Sequence, residues 1–220
     1  PHVIYWMGDP EALGKPMLSV VGTRRMSSYG QKVCDHLIGE LAGMFPDMVI
    51  VSGLAYGIDS ASHRAALSHG IRTIGVLANQ LPDIYPVQHA TLANEMLRSG
   101  GGLLTEYHSQ NKNKGVNFVP RNRIIAGMSA GTLVVESAAR GGSLITAGMA
   151  DSYDRAVMAI PGRIAESRSA GTYYLIKSNK VVMVTSSRGI ARELMWDIPD
   201  GEPSDKYDSS TLSEQAPALL

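Results

Sequence analysis

The stretch MLSVVGTRR, residues 17–25, decides the fold of this 220-residue chain. Its first five residues form an apolar run that stops at Gly22. Similar runs rich in Val, Ile or Leu occupy residues 47–51, 72–77, 103–105, 132–135 and 156–160. Continuous apolar runs with little polar alternation are typical of strands buried on both faces of a parallel sheet. We therefore predict that these six runs are central strands.

Helical patterns lie between these strands. Residues 28–44 carry Val33, Leu37 and Leu41 at four-residue spacing, which indicates a core-facing stripe. Residues 58–69, 87–98 and 144–153 are also predicted to be helices. This alternation predicts right-handed βαβ units and an α/β fold with an open, doubly wound, mostly parallel sheet, over a domain of residues 1–197.

The end of the chain has a different composition. Residues 198–220 are rich in Gly, Pro, Ser, Asp and Glu and lack apolar periodicity until the last residues. We expect a disordered acidic linker towards a C-terminal domain that is absent from this sequence. The first residue is Pro1 rather than Met, which fits the expectation of a piece of a longer protein.

The zero formal net charge hides an uneven distribution. Residues 193–220 hold seven acidic residues and one lysine, so the rest of the chain is basic. No acidic residue lies between Glu106 and Glu136, whereas Lys112, Lys114, Arg121 and Arg123 all fall there. Such a basic field is expected for a polyanion partner, although a solvated basic loop is the alternative.

The compartment follows from cysteine usage and hydropathy. A single cysteine excludes an intrachain disulfide and fits a reducing cytoplasm. No apolar run approaches the ~20 residues needed to cross a bilayer. We therefore expect a cytoplasmic protein without a membrane partner.

The residues after the strands carry the functional signal, because ligands of open parallel sheets bind beyond the carboxyl ends of the strands. Glycines there let backbone amides approach an anion, and helix N-termini and arginine forks add positive charge. Neither G-x-G-x-x-G nor a Walker motif follows a strand, so no dinucleotide or ATP cofactor is expected. The candidate anion-binding residues at these turns are Gly22, Thr23, Arg24, Arg25, Gly53, Gly142, Ser143, Thr146 and Arg163.

Six motifs occur in a specific order between residues 5 and 194. They are Val20-Val21-Gly22-Thr23-Arg24, Ser52-Gly53-Leu54-Ala55-x-Gly57-Ile58-Asp59-x-Ala61-x-His63, Tyr85-Pro86, Pro120-Arg121-Asn122-Arg123-Ile124-Ile125-Ala126-Gly127, Gly142-Ser143-Leu144-Ile145-Thr146-Ala147 and Pro161-Gly162. This ordered set resembles the DprA (Smf) family of DNA-processing proteins. The resemblance implies an extended Rossmann-like domain that binds single-stranded DNA, forms a homodimer and loads a RecA-type recombinase during natural transformation. It implies no catalytic activity. No metal is expected, because no third ligand lies at a suitable spacing from Asp59 and His63.

The resemblance also implies where DNA binds. The pocket would be built on Gly22-Thr23-Arg24 and Arg121-Asn122-Arg123, with Lys112 and Lys114 assisting. Arg24 and Arg121 should then share one cleft, and neither is expected to be part of the core. Phe118 and Tyr56 are candidates for base stacking, although a core position is the favoured interpretation of Phe118.

Three other interpretations stay open at this point. Asp59 and His63, four residues apart on a helix, fit either a metal pair or, more simply, a helix cap and a structural hydrogen bond. Glu106 and Glu136 both follow strands, so a carboxylate pair in a Rossmann-like nucleoside-monophosphate hydrolase is an alternative function. A nucleotide-sensing module without chemistry is the third.

Overall fold

The computed structural model describes residues 1–110, 117–179 and 181–199. Its strands are β1 (Tyr5–Gly8), β2 (Met17–Val21), β3 (Val49–Ser52), β4 (Arg72–Val76), β5 (Gly102–Thr105), β6 (Gly131–Val134), β7 (Ala156–Ala159) and β8 (Val182–Met183). Its α-helices are α1 (Ser28–Met44), α2 (Ile58–Ser68), α3 (Ala90–Arg98), α4 (Phe118–Met128), α5 (Gly142–Ser152), α6 (Ala170–Lys177) and α7 (Ser187–Glu193).

The strands form one sheet in the order β1-β5-β4-β3-β2-β6-β7-β8. Only the β1–β5 pair among them is antiparallel. After β2, the chain adds β3, β4 and β5 in turn on one side of β2. It then returns to β2 and adds β6, β7 and β8 on the other side. The sheet therefore reverses its winding between β2 and β6, which confirms the predicted doubly wound α/β fold.

Strand β2 occupies the centre because all five of its residues are buried. Leu18 pairs with Ile50 of β3 and with Gly131 of β6. Leu18 and Val20 pack into the cluster under α1 and α2, whereas Met17 and Val21 pack into the cluster under α4 and α5. Alternate residues of one strand thus serve opposite faces, and the molecule has three layers, with the sheet between two layers of helices.

Most predicted elements are present within a few residues of their predicted bounds, and β2 and α1 agree with them to the residue. Helix α6 leads into β8, which is the edge strand of the sheet at the end opposite β1. The linker is predicted to begin at residue 198, and its residues from 200 onwards lie outside the described part of the chain. Within the described ranges, no helix has the length and hydropathy needed to cross a membrane.

Candidate nucleic-acid interface

A cavity of about 300 Å³ opens at the carboxyl ends of β2 and β6, where the winding of the sheet reverses. This is the position at which open α/β sheets bind ligands. Arg24 and Arg121 both line it, so the prediction of a shared cleft is confirmed. Of the predicted site residues, those that line the cavity are Gly22, Thr23, Arg24, Arg121, Asn122, Gly142, Ser143 and Thr146.

The turn after β2 forms one wall of the cavity and is fixed by its neighbours on both sides. The Thr23 amide donates to the Glu136 carbonyl at 2.7 Å, and the Ile58 amide donates to the Thr23 carbonyl at 3.2 Å. A Cβ at Gly22 would lie 2.5 Å from Ile58 Cγ1. Only glycine fits there, because the turn passes between the end of β6 and the start of α2.

Arg24 projects from this turn to the mouth of the cavity. Its side chain is exposed, and its guanidinium lies 4.9 Å from the centre of the Phe118 ring. Among the described residues it forms no ion pair, so a cation–π contact orients the group without neutralising its charge. Phe118 is half-buried and lines the cavity, so its favoured interpretation as plain core is wrong.

Arg121 is buried, with 3% of its surface exposed, which corrects the expectation that it lies outside the core. Its Nη1 donates to the Gly53 carbonyl at 2.8 Å and also to the Val76 carbonyl. These carbonyls follow β3 and end β4, so the side chain joins α4 to two strand ends. Burial lowers the pKa of Arg121 to about 10, against the opposing effect of Asp59, and the group remains a cation at neutral pH.

Asp59 and Gly53 complete the surroundings of this guanidinium. A Cβ at Gly53 would lie 2.6 Å from both Arg121 Nη2 and Asp59 Oδ2, so the missing side chain makes room for the two charged groups. Burial raises the pKa of Asp59, and the nearby Arg121 charge and backbone hydrogen bonds from Ala55 and Gly53 oppose that rise. Asp59 therefore has a structural role inside the fold, but it does not cap α2, whose N-cap position is Gly57 without a side-chain hydrogen bond.

The turn between β3 and α2 is held in an unusual conformation. Leu54 is fully buried and has a φ of +56°, which a non-glycine residue rarely adopts. Its carbonyl accepts a hydrogen bond from His89 Nδ1 at 2.8 Å. With Arg121 bonded to the preceding carbonyl, two consecutive residues of the turn are fixed by side chains from other elements.

The first turn of α5 forms the opposite wall. Backbone N–H groups at the start of a helix lack intrahelical partners and attract anions. A Cβ at Gly142 would meet nothing within 4 Å, so the cavity is open above this amide. The hydroxyl groups are used internally, since Ser143 donates to Ser137 Oγ at 2.8 Å and Thr146 donates to the Gly142 carbonyl at 3.5 Å. Both hydroxyl groups therefore donate within the protein, which corrects the expectation that they donate to a ligand.

The other candidate residues lie elsewhere. Arg123 donates to Glu106, so its charge is compensated within the protein. Arg163 lines a separate cavity of about 210 Å³ beside Glu136. Arg25 is exposed and does not line the main cavity, and Gly53 lies behind Arg121. Lys112 and Lys114 fall outside the described residues.

The two glutamates considered as a catalytic pair are far apart. Glu106 follows β5 and Glu136 follows β6, and four strand spacings separate those strands, about 19 Å. Glu136 accepts hydrogen bonds from the Ser27 amide at 2.9 Å and the Ser27 hydroxyl at 2.5 Å, so it fixes the start of α1. With Glu106 engaged by Arg123, neither carboxylate is placed to activate water together with the other.

His63 has a structural contact rather than a metal-binding one. Its Nδ1 lies 2.6 Å from Thr73 Oγ1, and Thr73 donates its proton to the Ile50 carbonyl at 2.9 Å. Nδ1 must therefore be the donor to Thr73. Among the described residues, no three His, Cys, Asp or Glu side chains are grouped as a metal site would require.

Several cavity residues were not predicted from the sequence. Ala55, Val119, Ala138 and Gly141 line the cavity through small or apolar surfaces. Their residue types carry no chemical signal, so only the folded structure identifies them. Asp59, predicted as a cap, lines the same cavity through its position beside Arg121.

Fold and cavity together define a doubly wound α/β protein with a cleft, lined by two arginines, at the switch point of its sheet. A family model described as DNA recombination-mediator protein A matches residues 1–195. The chain belongs to that family.

Curated relatives agree with this assignment. The chain is 38% identical over 225 residues to Protein Smf of Escherichia coli (strain K12), covering 100% of this chain and 59% of Smf. It is 38% identical over 195 residues to DNA processing protein DprA of Bacillus subtilis (strain 168), covering 88% of this chain and 64% of that protein. The chain therefore spans less than two thirds of each of these relatives.

Solved structures resemble the fold closely. The X-ray structure of DNA processing protein A from Streptococcus pneumoniae superposes with a TM-score of 0.79 at 38% identity, over 86% of this chain and 65% of that one. DNA processing protein A from Helicobacter pylori, whose structure concerns a single-stranded DNA binding mode, gives a TM-score of 0.77 at 27% identity, over 87% and 86%. A molybdenum cofactor binding protein from Rippkaea orientalis, at 15% identity and a TM-score of 0.54, shares the fold alone.

Proposed function

We propose that this chain binds single-stranded DNA through its sugar–phosphate backbone at the cavity between β2 and β6. The observation that carries the proposal is the position of the exposed Arg24 guanidinium, which lines the cavity and forms no ion pair among the described residues. The first turn of α5 faces the same space from the opposite wall. A phosphate placed between them receives a bidentate cation on one side and backbone amides on the other.

Phe118 extends this site towards the bases. Its ring lies under Arg24, at the border between the charged cavity and the surface. A base next to the bound phosphate can stack on an aromatic ring whatever its identity. Phosphate contacts of this kind fix position without reading sequence, so binding is expected to be largely independent of sequence.

The descriptions of the relatives support a biological process for this proposed binding. The H. pylori protein is described as binding single-stranded DNA, and the family is described as a recombination mediator. We extend these descriptions to this chain, as a non-catalytic domain of residues 1–197 that acts in the cytoplasm during natural transformation. Delivery of the strand to a RecA-type recombinase and assembly into a homodimer belong to the same proposal.

The hydrolase and nucleotide-sensing alternatives receive less support. Hydrolysis would need a carboxylate free to activate water, but Glu136 is bonded to Ser27 and Glu106 to Arg123. The cavity is open on the side of the exposed Arg24 side chain, so it does not surround a ligand on all sides. An open mouth beside an aromatic ring suits a continuous strand better.

Fluorescence anisotropy with a labelled dT oligonucleotide tests the proposal. We expect binding that weakens with salt, preference over duplex, and no base release from nucleoside monophosphates. Arg24→Ala should weaken binding and reduce the slope of log K against log salt by about 1. Arg98→Ala is the matched control, because Arg98 is exposed in the last turn of α3, which leads into the opposite end of the sheet. Equal affinity for Arg24→Ala and Arg98→Ala would overturn the site.

A further inference from the structure

A second, open hollow of about 610 Å³ lies near the cavity between β2 and β6, which is termed the phosphate cavity below. The proposed contacts to the sugar–phosphate backbone do not involve this hollow. It is formed by Tyr56 after β3 and by the segment from Asp83 to Gln88 before α3. Tyr56 and Tyr85 are 44% and 50% exposed, and Val87 is 70% exposed. Half-exposed aromatic rings around a concave surface are a feature of sites that bind planar ligands.

An aromatic contact connects the hollow to the phosphate cavity. The Tyr85 ring centre lies 5.7 Å from that of Phe118, and the same Phe118 ring lies under the Arg24 guanidinium. The two ring planes are inclined at 50°, so they form two adjoining faces. Tyr85 also lines the hollow, so a strand whose phosphate is held by Arg24 can extend its neighbouring bases towards the hollow.

The described lining of the hollow favours a base over a phosphate. None of its described lining residues is a lysine, arginine or histidine, so a phosphate would meet no cation there. A neutral base needs only ring surface and hydrogen-bonding groups. Gln88 accepts a hydrogen bond from the Tyr56 hydroxyl at 2.8 Å through Oε1, and its amide nitrogen can donate to a base edge.

The walls of the hollow are already in place without a ligand. Tyr56 packs edge-on against His89 at 4.9 Å, and His89 is itself bonded to the Leu54 carbonyl. On the other wall, Asn79 Nδ2 donates to the Asp83 carbonyl at 2.7 Å. A preformed surface reduces the ordering cost of binding.

We propose that the hollow between Tyr56 and Tyr85 receives nucleobases of a single strand whose phosphates occupy the Arg24 cavity. This proposal rests on the proposed function, because the strand is the ligand of both sites. It assigns base stacking to Tyr85 and Tyr56 in the hollow. The phosphate contacts are made at a separate place, the cavity that Arg24 lines.

The test compares a dT 15-mer with an abasic strand of the same length, using the full chain. Tyr85→Leu should lower affinity for dT roughly 5- to 100-fold, the effect of losing one stacked base. The salt slope should stay unchanged, because no phosphate contact is lost. On the abasic strand the variant should bind like the unchanged protein. Tyr85→Phe keeps the ring and should restore binding to dT.

Tyr174→Leu serves as the matched control, since Tyr174 is 66% exposed on α6 and lines neither site. Unchanged dT affinity in Tyr85→Leu, with a loss in Arg24→Ala, would overturn the base site and leave the backbone site standing. An equal loss on dT and abasic strands would also overturn it, because the effect would then act through the fold. Absence of binding by the unchanged protein would overturn both proposals.

Discussion

The Nη1 atom of Arg121 lies 2.8 Å from the carbonyl oxygen of Gly53 and donates to it from inside the protein. The same atom donates to Val76, so one guanidinium satisfies two carbonyls at the ends of neighbouring strands. An arginine in the predicted DNA pocket is therefore also a structural residue, and its replacement has consequences for folding as well as for binding.

Arg121→Ala should destabilise the protein by about 3–5 kcal/mol, the range for removing one partner of a buried charged arrangement. Two carbonyls would lose their donor, and Asp59 would lose the nearby positive charge. Urea unfolding measures the change. Arg24→Ala, at an exposed position, should stay within about 0.5 kcal/mol of the unchanged protein. A shared unfolding midpoint for the two variants would contradict the structural role of Arg121.

Two adjacent glycines should separate binding from stability. A Cβ at Gly142 meets nothing within 4 Å, so Gly142→Ala should leave stability unchanged within about 0.5 kcal/mol. The methyl group would cover the first amides of α5 and lower dT affinity about 2- to 10-fold, equivalent to one hydrogen bond. A Cβ at Gly141 would lie 2.5 Å from Ser137 Oγ, so Gly141→Ala should cost about 1–3 kcal/mol of stability.

These two variants are compared by urea unfolding and by anisotropy on one oligonucleotide. If Gly142→Ala binds DNA as tightly as the unchanged chain, the first turn of α5 is not a wall of the phosphate site. If Gly141→Ala unfolds at the same urea concentration as the unchanged protein, Ser137 moves away from the new methyl group with little loss of stability.

His63 should make stability depend on pH. Burial lowers the pKa of His63 to about 3, whereas an unfolded histidine titrates near 6.5. Above pH 6.5 both states are neutral and this group has no effect. Below pH 6.5 the unfolded chain takes up a proton that the folded chain does not, so stability falls by up to about 1.4 kcal/mol per pH unit until the folded group titrates.

His63→Asn retains a donor towards Thr73 and removes the titrating ring. Urea unfolding at pH 7.5 and pH 5 should therefore show a smaller loss of stability on acidification in this variant than in the unchanged protein. His36→Asn is the control, because the His36 side chain is 69% exposed and pairs only with Glu40. Identical acid sensitivity in the unchanged protein and His63→Asn would show that other groups dominate in this range.

Glu136→Gln distinguishes a structural carboxylate from a catalytic one. The amide keeps one acceptor for Ser27 but loses the charge near the start of α1, so we expect a loss of about 1–2 kcal/mol of stability. Oligonucleotide affinity should stay within twofold, since Glu136 does not line the phosphate cavity. Base release from nucleoside monophosphates that disappears in this variant would instead favour the hydrolase.

The central elements could be predicted because their signals are local. Strand β2 is apolar at four of its five positions, and the stripe of Leu37 and Leu41 marks α1. Helix α4 was not predicted as a helix, because Pro120 and three consecutive polar residues interrupt any apolar periodicity in its first half. Strand β1 is an edge strand that pairs antiparallel, and it was not predicted although residues 3–7 are apolar.

The site could be located but not fully described. Glycines and Arg24 after β2 indicated the edge of the sheet at which the cavity lies, since that edge depends on strand direction alone. The burial of Arg121 could not be foreseen, because arginine is rarely buried and its acceptors lie 45 and 68 residues away in sequence. The engagement of Arg123 by Glu106 depends likewise on tertiary contacts.

The left-handed Leu54 has an entropic consequence for the proposed binding. Hydrogen bonds from His89 and Arg121 hold the Leu54 and Gly53 carbonyls in the structure without a ligand. If a strand binds as proposed, these bonds need not change, and we expect the conformational entropy lost on association to be mainly that of the nucleic acid.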